Sequence, residues 1–297
     1  MGDLPKDRVD PFPPFYITGV DYAGYFLLKD RKERGCKLLK AYVALFVCFT
    51  ARAVHLELVS DLTAHSLIAA FKRFVSRRGK PLKMHSDNGT NFQDANRKLK
   101  EFYDFIKTNK REIQGHSTIE SIAWHFIPSQ STHFGGLWEA GVKSMKSHLK
   151  RVVSNAHLRY EEFSIILTQV ESVLNSRPIS TLSSDPNDLC PLTPVHFLIG
   201  RPFTAIPEPD LMFINENRLN HFQRLQKMVQ HIWSRWSKEF IGELQQRKNW
   251  KQISKDINIG TQVLIKEKNV SPLIWQLGRI VEHPGIQVQT EFPGWCP

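Results

Sequence analysis

Apolar residues along the first part of the chain are arranged as they are in β-strands. Residues 16–59 contain three apolar segments, YITGVDYAGYFLL, KAYVALFVCF and AVHLELV. The first two are separated by KDRKERGC, which is charged and contains a glycine, as is typical of a turn. This pattern predicts three consecutive strands.

The period of the apolar residues changes after residue 60. TAHSLIAAFKRFVSRRG has helical spacing, with Asp61 or Thr63 as the N-cap and Gly79 at its end. PLKMHS and IAWHFIP predict two more strands. Three further segments have helical spacing: NFQDANRKLKEFYDFIKTN, GGLWEAGVKSMKSHLKRVV and RYEEFSIILTQVESVLNSRP. Three strands followed by strands that alternate with helices predict an α/β fold with a mixed five-stranded sheet and flanking helices.

The remainder of the chain has a different composition. Residues 178–210 are rich in Pro, Asp and Ser and predict loops, whereas residues 217–250 predict a long helix. IGTQVLIKEK and IWQLGRIVEH then read as two short strands that begin a small β barrel. The predicted parts are an extended N-terminal segment at 1–15, a core at 16–200, a linker at 201–216, and a C-terminal helical region with a truncated β barrel at 217–297.

The charge of the chain indicates a polyanionic partner. The 297 residues include 40 Lys plus Arg and 29 Asp plus Glu, which gives a net charge of +11. The longest apolar run, residues 41–49, is shorter than the roughly 20 residues that span a bilayer. We therefore expect nucleic acid and no membrane. The four cysteines form no CxxC pair, so we predict neither a zinc site nor a disulfide framework, and we expect a reducing compartment.

Three carboxylates are candidates for chemistry. Asp21 lies inside an apolar strand, Asp87 follows the fourth strand, and Glu139 is in the first turns of a helix. A carboxylate in an apolar strand is costly unless it is hydrogen-bonded, paired or bound to metal. Oxygen ligands of this kind suit Mg²⁺. Taken singly, each has a structural explanation: a buried hydrogen-bonded group for Asp21, a turn residue for Asp87 and a solvated helix face for Glu139.

Several segments together resemble a known family. GVDYAGYF, SDNGTNF and FGGLWEAGVKSMKSHLKR resemble the three acidic motifs of the retroviral-type integrase core, and the resemblance is strongest to the integrases of BEL/Pao-type LTR retrotransposons. It extends over about residues 2–285. The resemblance implies an RNase H-like core followed by a helical segment and a partial SH3-like β barrel. It also implies that the catalytic, metal-binding residues are Asp21, Asp87 and Glu139.

The resemblance implies DNA 3′-end processing and strand transfer by two-metal phosphoryl transfer. Two Mg²⁺ or Mn²⁺ ions are expected, with Asp21 contacting both, Asp87 one and Glu139 the other. The implied partners are the DNA ends of an element, target DNA and further copies of the chain, and the implied location is the nucleus after transit through the cytoplasm. Asn88 and Asn91 are expected to order their loop and to reach DNA.

Three lysines follow Glu139 on one predicted helix. Lys143, Lys146 and Lys150 are four, seven and eleven residues further on, so that in a helix they share a face with Glu139. This placement predicts contact with the DNA backbone beside the metals. The alternative is an ordinary Glu–Lys surface pair, which contributes only a few tenths of a kcal/mol.

Two other functions stay open. A ribonuclease H would share the fold and the metal chemistry, but the motifs here are those of integrases. The chain also departs from the integrase pattern: it lacks HxxxH…CxxC, has Tyr25 where Pro is usual, and loses the match after Gly285. The second alternative is therefore a catalytically inactive, nucleic-acid-binding remnant or host-adopted fragment. It would bind DNA through Lys143, Lys146 and the basic residues of 218–251.

Overall fold

The computed structural model divides the chain into two compact units, Met1–Glu171 and Ser172–Pro297. The described residues are 6–31, 35–87, 89–108, 121–126, 146–153, 156–183, 185, 188–244, 259–265, 271–282 and 287–290. Within these ranges, none of the helices combines the length and the apolar character needed to span a membrane. The domain boundaries inferred from the sequence stay a prediction.

The first unit is built on a five-stranded mixed sheet. Its strands are β1 (Ile17–Lys29), β2 (Leu38–Cys48), β3 (Val54–Val59), β4 (Lys83–Ser86) and β5 (Ala123–Phe126). They lie in the order β3-β2-β1-β4-β5. β1, β2 and β3 pair antiparallel, whereas β4 is parallel to both β1 and β5. This order and these directions confirm the predicted RNase H-like α/β fold.

In the described residues of the first unit, five helices accompany the sheet. They are α1 (Lys6–Val9), α2 (Ala64–Arg78), α3 (Thr90–Thr108), α4 (146–153) and α5 (Tyr160–Asn175). The division between the two units falls within α5. The single turn of α1 differs from the extended segment expected for residues 1–15. It is tied to the sheet because Asp7 accepts a 2.7 Å hydrogen bond from the Lys83 ammonium on β4.

The ends of α2 follow the predicted capping residues. The Thr63 hydroxyl accepts a hydrogen bond from the Ser66 amide and is the N-cap, while Asp61 accepts from the Thr63 amide one step earlier. Gly79 ends the helix with a φ of 89°, a conformation that glycine adopts without steric cost. Asp61 and Thr63, the two residues predicted as N-cap candidates, therefore both take part in capping α2.

Aromatic side chains form the centre of the first unit. Phe74 of α2 stacks on Phe46 of β2 with ring centroids 4.3 Å apart, and Phe15 meets Phe74 edge-on at 5.3 Å. Phe163 of α5 lies 5.0 Å from Phe26 of β1. All five rings are almost fully buried. Removing a buried Phe side chain typically costs about 3–5 kcal/mol, so these contacts fix α2 and α5 against the sheet.

Where the structure describes it, the second unit contains short strands and one long helix. Its elements are β6 (Ser180–Thr181), β7 (Pro191–Leu192), α6 (His196–Ile199), a 3₁₀ turn (Glu216–Arg218), α7 (His221–Leu244), β8 (Gln262–Leu264), β9 (Leu277–Glu282) and β10 (Gln287–Thr290). The long helix predicted at 217–250 corresponds to α7. Trp275 packs edge-on against Trp233 of α7, with centroids 4.9 Å apart.

The predicted small barrel takes the form of a sheet with one strand more than expected. β8, β9 and β10 form an antiparallel sheet in the order β10-β9-β8, and the described residues contain no closed barrel. The sequence predicted strands at the positions of β8 and β9 only. β10 lies after Gly285, where the family resemblance ends, and Val288 is its single apolar residue.

Candidate active site

Asp21 and Asp87 each follow the paired residues of two neighbouring parallel strands, β1 and β4. Ile17, Thr18 and Gly19 pair with Lys83, Met84 and His85. Each β4 residue is thus numbered 66 higher than its partner, and Asp87 is numbered 66 higher than Asp21. Neighbouring strands lie about 4.8 Å apart. The two carboxylates that the sequence singled out therefore belong to adjacent chain segments, Asp21 within β1 and Asp87 directly after β4.

Asp21 is held by contacts to both of its carboxylate oxygens. The Tyr22 amide donates a 2.6 Å hydrogen bond to Oδ1, and the Lys146 ammonium of α4 forms an ion pair with Oδ2. About a third of the Asp21 side chain is exposed. Asp21 therefore satisfies the rule that a carboxylate in an apolar strand needs partners, and it stays accessible from solvent.

Asp87 begins a tight connection from β4 into α3. Its Oδ1 accepts a 2.9 Å hydrogen bond from the Gly89 amide, and the Gly89 carbonyl accepts from the amides of Phe92 and Gln93. A Cβ on Gly89 would lie 2.7 Å from Asn91 Oδ1 and 3.0 Å from Asp87 Oδ1. Only glycine fits there without moving a neighbour, so the turn sets the position of the Asp87 carboxylate.

Asn91 joins this turn to β1. Its side chain lies beside the Tyr22 hydroxyl, and the Tyr22 ring packs against Phe92 with centroids 5.2 Å apart. Burial raises the pKa of the Tyr22 hydroxyl, and the neighbouring Asn91 side chain opposes that shift. Tyr22 therefore stays neutral at physiological pH. Asn91 lies in the first turn of α3 and not in the loop where it was expected, and its contact with DNA stays a prediction.

Two of the lysines that were predicted to contact DNA lie in the described part of α4, and their contact with DNA stays a prediction. Lys146 reaches Asp21, and Lys150, four residues further along the helix, is exposed. Residues four apart are neighbours on one face of a helix. Glu139, Asn88 and Lys143 lie outside the described residues, so their predicted roles stay predictions.

The donor atoms at this edge of the sheet fit a divalent cation. Asp21 and Asp87 supply carboxylate oxygens, which Mg²⁺ and Mn²⁺ prefer to nitrogen or sulfur. Over the described part of the chain, no three His, Cys, Asp or Glu side chains come together as a metal-ligand group. The third predicted ligand, Glu139, is not among those residues. Asp21 and Asp87 therefore supply the type of donor atom that the predicted cofactor takes, and their roles as its ligands stay predictions.

A second charged cluster in the first unit was not foreseen from the sequence. His55 and Glu57 lie two residues apart on β3 and form a 3.0 Å hydrogen bond, and Glu171 of α5 contacts the other ring nitrogen of His55. Arg73 and Arg78 of α2 pair with Glu57 and Glu171. The reasoning applied to Asp21 applies equally to Glu57, a carboxylate inside the apolar strand VHLELV. These partners account for it as a structural group.

Comparison with known proteins gives a family match for one part of the chain. Residues 220–289 match a family described as "Family of unknown function (DUF5641)". No curated protein matches the chain significantly. The matched segment contains α7, β8, β9 and all of β10 except Thr290, and it lies within the second unit.

Solved structures similar to the chain include retroviral integrases. One is the simian T-cell lymphotropic virus intasome in complex with PP2A regulatory subunit B56 gamma, at 16% identity and a TM-score of 0.41, covering 67% of this chain and 59% of that one. Another is the HTLV-2 integrase catalytic core domain in complex with magnesium (trimeric form), at 18% identity and a TM-score of 0.37. This match covers 64% of this chain and 99% of that one. A third is the BIV integrase catalytic core domain, at 14% identity and a TM-score of 0.39. This match covers 63% of this chain and 95% of that one. At such values the fold assignment rests on the strand order and directions themselves.

Proposed function

We propose that this chain is an integrase-type polynucleotidyl transferase that acts on DNA. The observation that supports this most directly is the parallel pairing of β1 with β4, because Asp21 and Asp87 each lie two residues beyond the paired residues Gly19 and His85. Two carboxylates at that place in an RNase H-like sheet, with lysines on a neighbouring helix, suit the transfer of a phosphoryl group in a polyanion. Structural carboxylates alone would not require this arrangement.

In the proposed reaction, three carboxylates bind the metal ions and two backbone amides orient the carboxylates. Asp21, Asp87 and Glu139 would hold Mg²⁺ or Mn²⁺, with two ions expected. When bound, such ions activate the attacking oxygen and stabilise the leaving oxygen. The Tyr22 and Gly89 amides orient the Asp21 and Asp87 carboxylates.

The lysines of α4 would position the DNA backbone for two successive in-line attacks. In the first, water attacks a phosphate near a 3′ end and releases a 3′-hydroxyl. In the second, that hydroxyl attacks a phosphate of the target strand, and the bond from this phosphate to the adjacent 3′-oxygen of the target strand breaks, which leaves a 3′-hydroxyl there. Lys143, Lys146 and Lys150 are the proposed phosphate contacts, and Asn88 and Asn91 are also proposed to reach DNA.

The finer assignments belong to the same proposal. We place the chain with integrases of BEL/Pao-like LTR retrotransposons because of the motifs in the sequence. It would assemble with further copies of itself on DNA ends and act in the nucleus. The core at 16–200 would carry the chemistry, and the region at 217–297 would contribute to DNA binding and assembly.

The experiment that tests this function is a disintegration assay with Mg²⁺ or Mn²⁺. The substrate is a branched DNA that resembles the strand-transfer product, and the wild type is compared with Asp87→Asn. We expect metal-dependent resealing by the wild type and a loss of at least about 100-fold in the variant, because one metal ligand loses its charge. Circular dichroism of both proteins verifies that the exchange leaves the fold intact.

The alternative function is a DNA-binding remnant without catalysis. It would give no resealing by the wild type, while both proteins would bind DNA in a salt-sensitive manner through the basic residues of the chain. That result would overturn the enzyme assignment and leave the nucleic-acid assignment in place.

A further inference from the structure

The ion pair between Asp21 and Lys146 joins two residues that both belong to the candidate site. Asp21 is a proposed metal ligand, and Lys146 is a proposed phosphate contact. They come from β1 and α4 and are 125 positions apart in the sequence. The pair therefore results from the tertiary fold and connects the metal position with the DNA position.

The two oxygens of Asp21 have different partners. Oδ1 is fixed by the amide of the adjacent residue, Tyr22, whereas Oδ2 is neutralised by the ammonium of Lys146. A backbone amide cannot leave its place without distorting β1. A lysine ammonium lies at the end of a flexible four-carbon side chain, and 27% of this side chain is exposed. The Lys146 partner is thus the one that can be exchanged.

A divalent cation and the Lys146 ammonium compete for the same oxygen of Asp21. Both are positively charged, so their simultaneous contact with Oδ2 is opposed by their repulsion. When the cation binds Asp21, the Lys146 ammonium has to move. Lys150 is exposed one helical turn further on, so a DNA strand along this face of α4 offers a phosphate as a new partner for Lys146.

We propose that Lys146 is an exchangeable counterion that leaves Asp21 when a divalent cation binds and then contacts a DNA phosphate. This inference rests on the proposed function of the same site. It makes the binding of metal and the binding of DNA interdependent. A phosphate that takes Lys146 frees Asp21 for the metal, and by thermodynamic reciprocity the metal strengthens DNA binding by the same factor.

The test measures Mn²⁺ binding to the full chain by titration calorimetry, with and without a short linear DNA duplex. The variants are Lys146→Gln, which loses the charge, and Lys146→Arg, which keeps it. Arg151→Gln is the matched control, because it removes a charge from an exposed position of the same helix. Asp21→Asn identifies the heat that belongs to this site.

Without DNA, we expect Lys146→Gln to bind Mn²⁺ about five-fold more tightly than the wild type, the lower end of typical coupling factors. Arg151→Gln and Lys146→Arg should bind as the wild type does. The duplex should tighten Mn²⁺ binding to the wild type by a similar factor and leave Lys146→Gln almost unchanged.

Equal or weaker Mn²⁺ binding by Lys146→Gln would overturn the inference, as would an equal effect of DNA on the wild type and on this variant. The inference would also be overturned if Asp21→Asn bound Mn²⁺ as tightly as the wild type does. If the coupling is observed and branched DNA is not resealed, the proposed function fails and the counterion role of Lys146 stands.

Discussion

Gly89 shows how one residue determines the geometry of the candidate site. A methyl group at this position would lie within 3.0 Å of side-chain oxygens of Asn91 and Asp87. Both oxygens are able to move, so we expect Gly89→Ala to fold with the Asp87 carboxylate displaced. Mn²⁺ binding should weaken by about tenfold, because misplaced ligands lose coordination geometry. Titration calorimetry with Mn²⁺ measures this effect.

The control for this exchange is Gly242→Ala in α7. Apart from the adjacent residues and the nearby backbone of α7 itself, no atom lies within 4 Å of a Cβ built at Gly242, and a helical Gly→Ala exchange typically stabilises by about 0.5–1 kcal/mol. Gly242→Ala should therefore bind Mn²⁺ as the wild type does. Unchanged Mn²⁺ affinity in Gly89→Ala would show that the turn after β4 does not position a metal ligand.

The sequence identified part of the site because two of its residues break a simple pattern. Asp21 interrupts an apolar strand and Asp87 begins a turn after another strand, so each attracts attention by itself. The ion pair of Lys146 with Asp21 could not be predicted in the same way, because it joins residues far apart in the sequence. Glu57 shows the converse: the same pattern as Asp21 marks a group whose partners are structural.

At the scale of elements, periodicity predicted the strands and helices whose apolar residues face a core. β1 to β5 and α2, α3 and α5 belong to this class. α1 and β10 do not, because one is a single turn in a proline-rich segment and the other has one apolar residue. The pairing of each β1 residue with a β4 residue numbered 66 higher could not be predicted from the sequence either. Strand pairing across a long connection is decided by packing and not by the local sequence.

The cluster around His55 connects β3, α2 and α5, and its charges predict a pH-dependent stability. Burial of His55 opposes its charged form, but the Glu171 and Glu57 carboxylates outweigh it and raise the pKa of His55. Burial likewise opposes the charged forms of these two carboxyls, but His55 and the arginines lower the pKa of each. Three elements are thus held together by ionised groups.

The sign of the pH dependence follows from these directions. The contribution of His55 is complete below its ordinary pKa of about 6.5 and is lost as pH rises through the raised value. The contribution of the carboxyls is complete above their ordinary pKa of about 4.5 and is lost as pH falls through the lowered values. The free energy of unfolding should therefore be highest between roughly pH 5 and 6 and should decline toward pH 9.

The substitution His55→Gln should remove the alkaline part of this dependence. It should also cost about 2 kcal/mol at pH 5.5, the value of a hydrogen bond to a charged group. His65→Gln is the control, because His65 is exposed on α2 and should keep the wild-type pH profile. Urea unfolding between pH 5 and 9 measures both. A profile of His55→Gln that still declines toward pH 9 would contradict the role of His55.

At the scale of the whole molecule, a net charge of +11 attracts DNA without any specific contact. Attraction by the overall charge and binding through defined phosphate contacts differ in how the removal of one positive charge changes the salt dependence of DNA affinity. Each phosphate contact releases counterions and contributes about 0.9 to the slope of log affinity against log salt. A charge that makes no contact changes the affinity slightly and leaves the slope nearly unchanged.

Lys150 and Lys72 allow this difference to be measured. Both are exposed on helices of the first unit, but only Lys150 follows Lys146 on α4. We expect Lys150→Gln to reduce the salt slope for duplex DNA by about one, as expected for a lost phosphate contact, and Lys72→Gln to keep the wild-type slope. Fluorescence anisotropy over a series of salt concentrations gives both slopes. If the two variants behave alike, DNA is held by the overall charge and α4 is not its binding face. If they differ as expected, the phosphates follow the helix that places Lys146 against Asp21, and the DNA backbone runs beside the carboxylates.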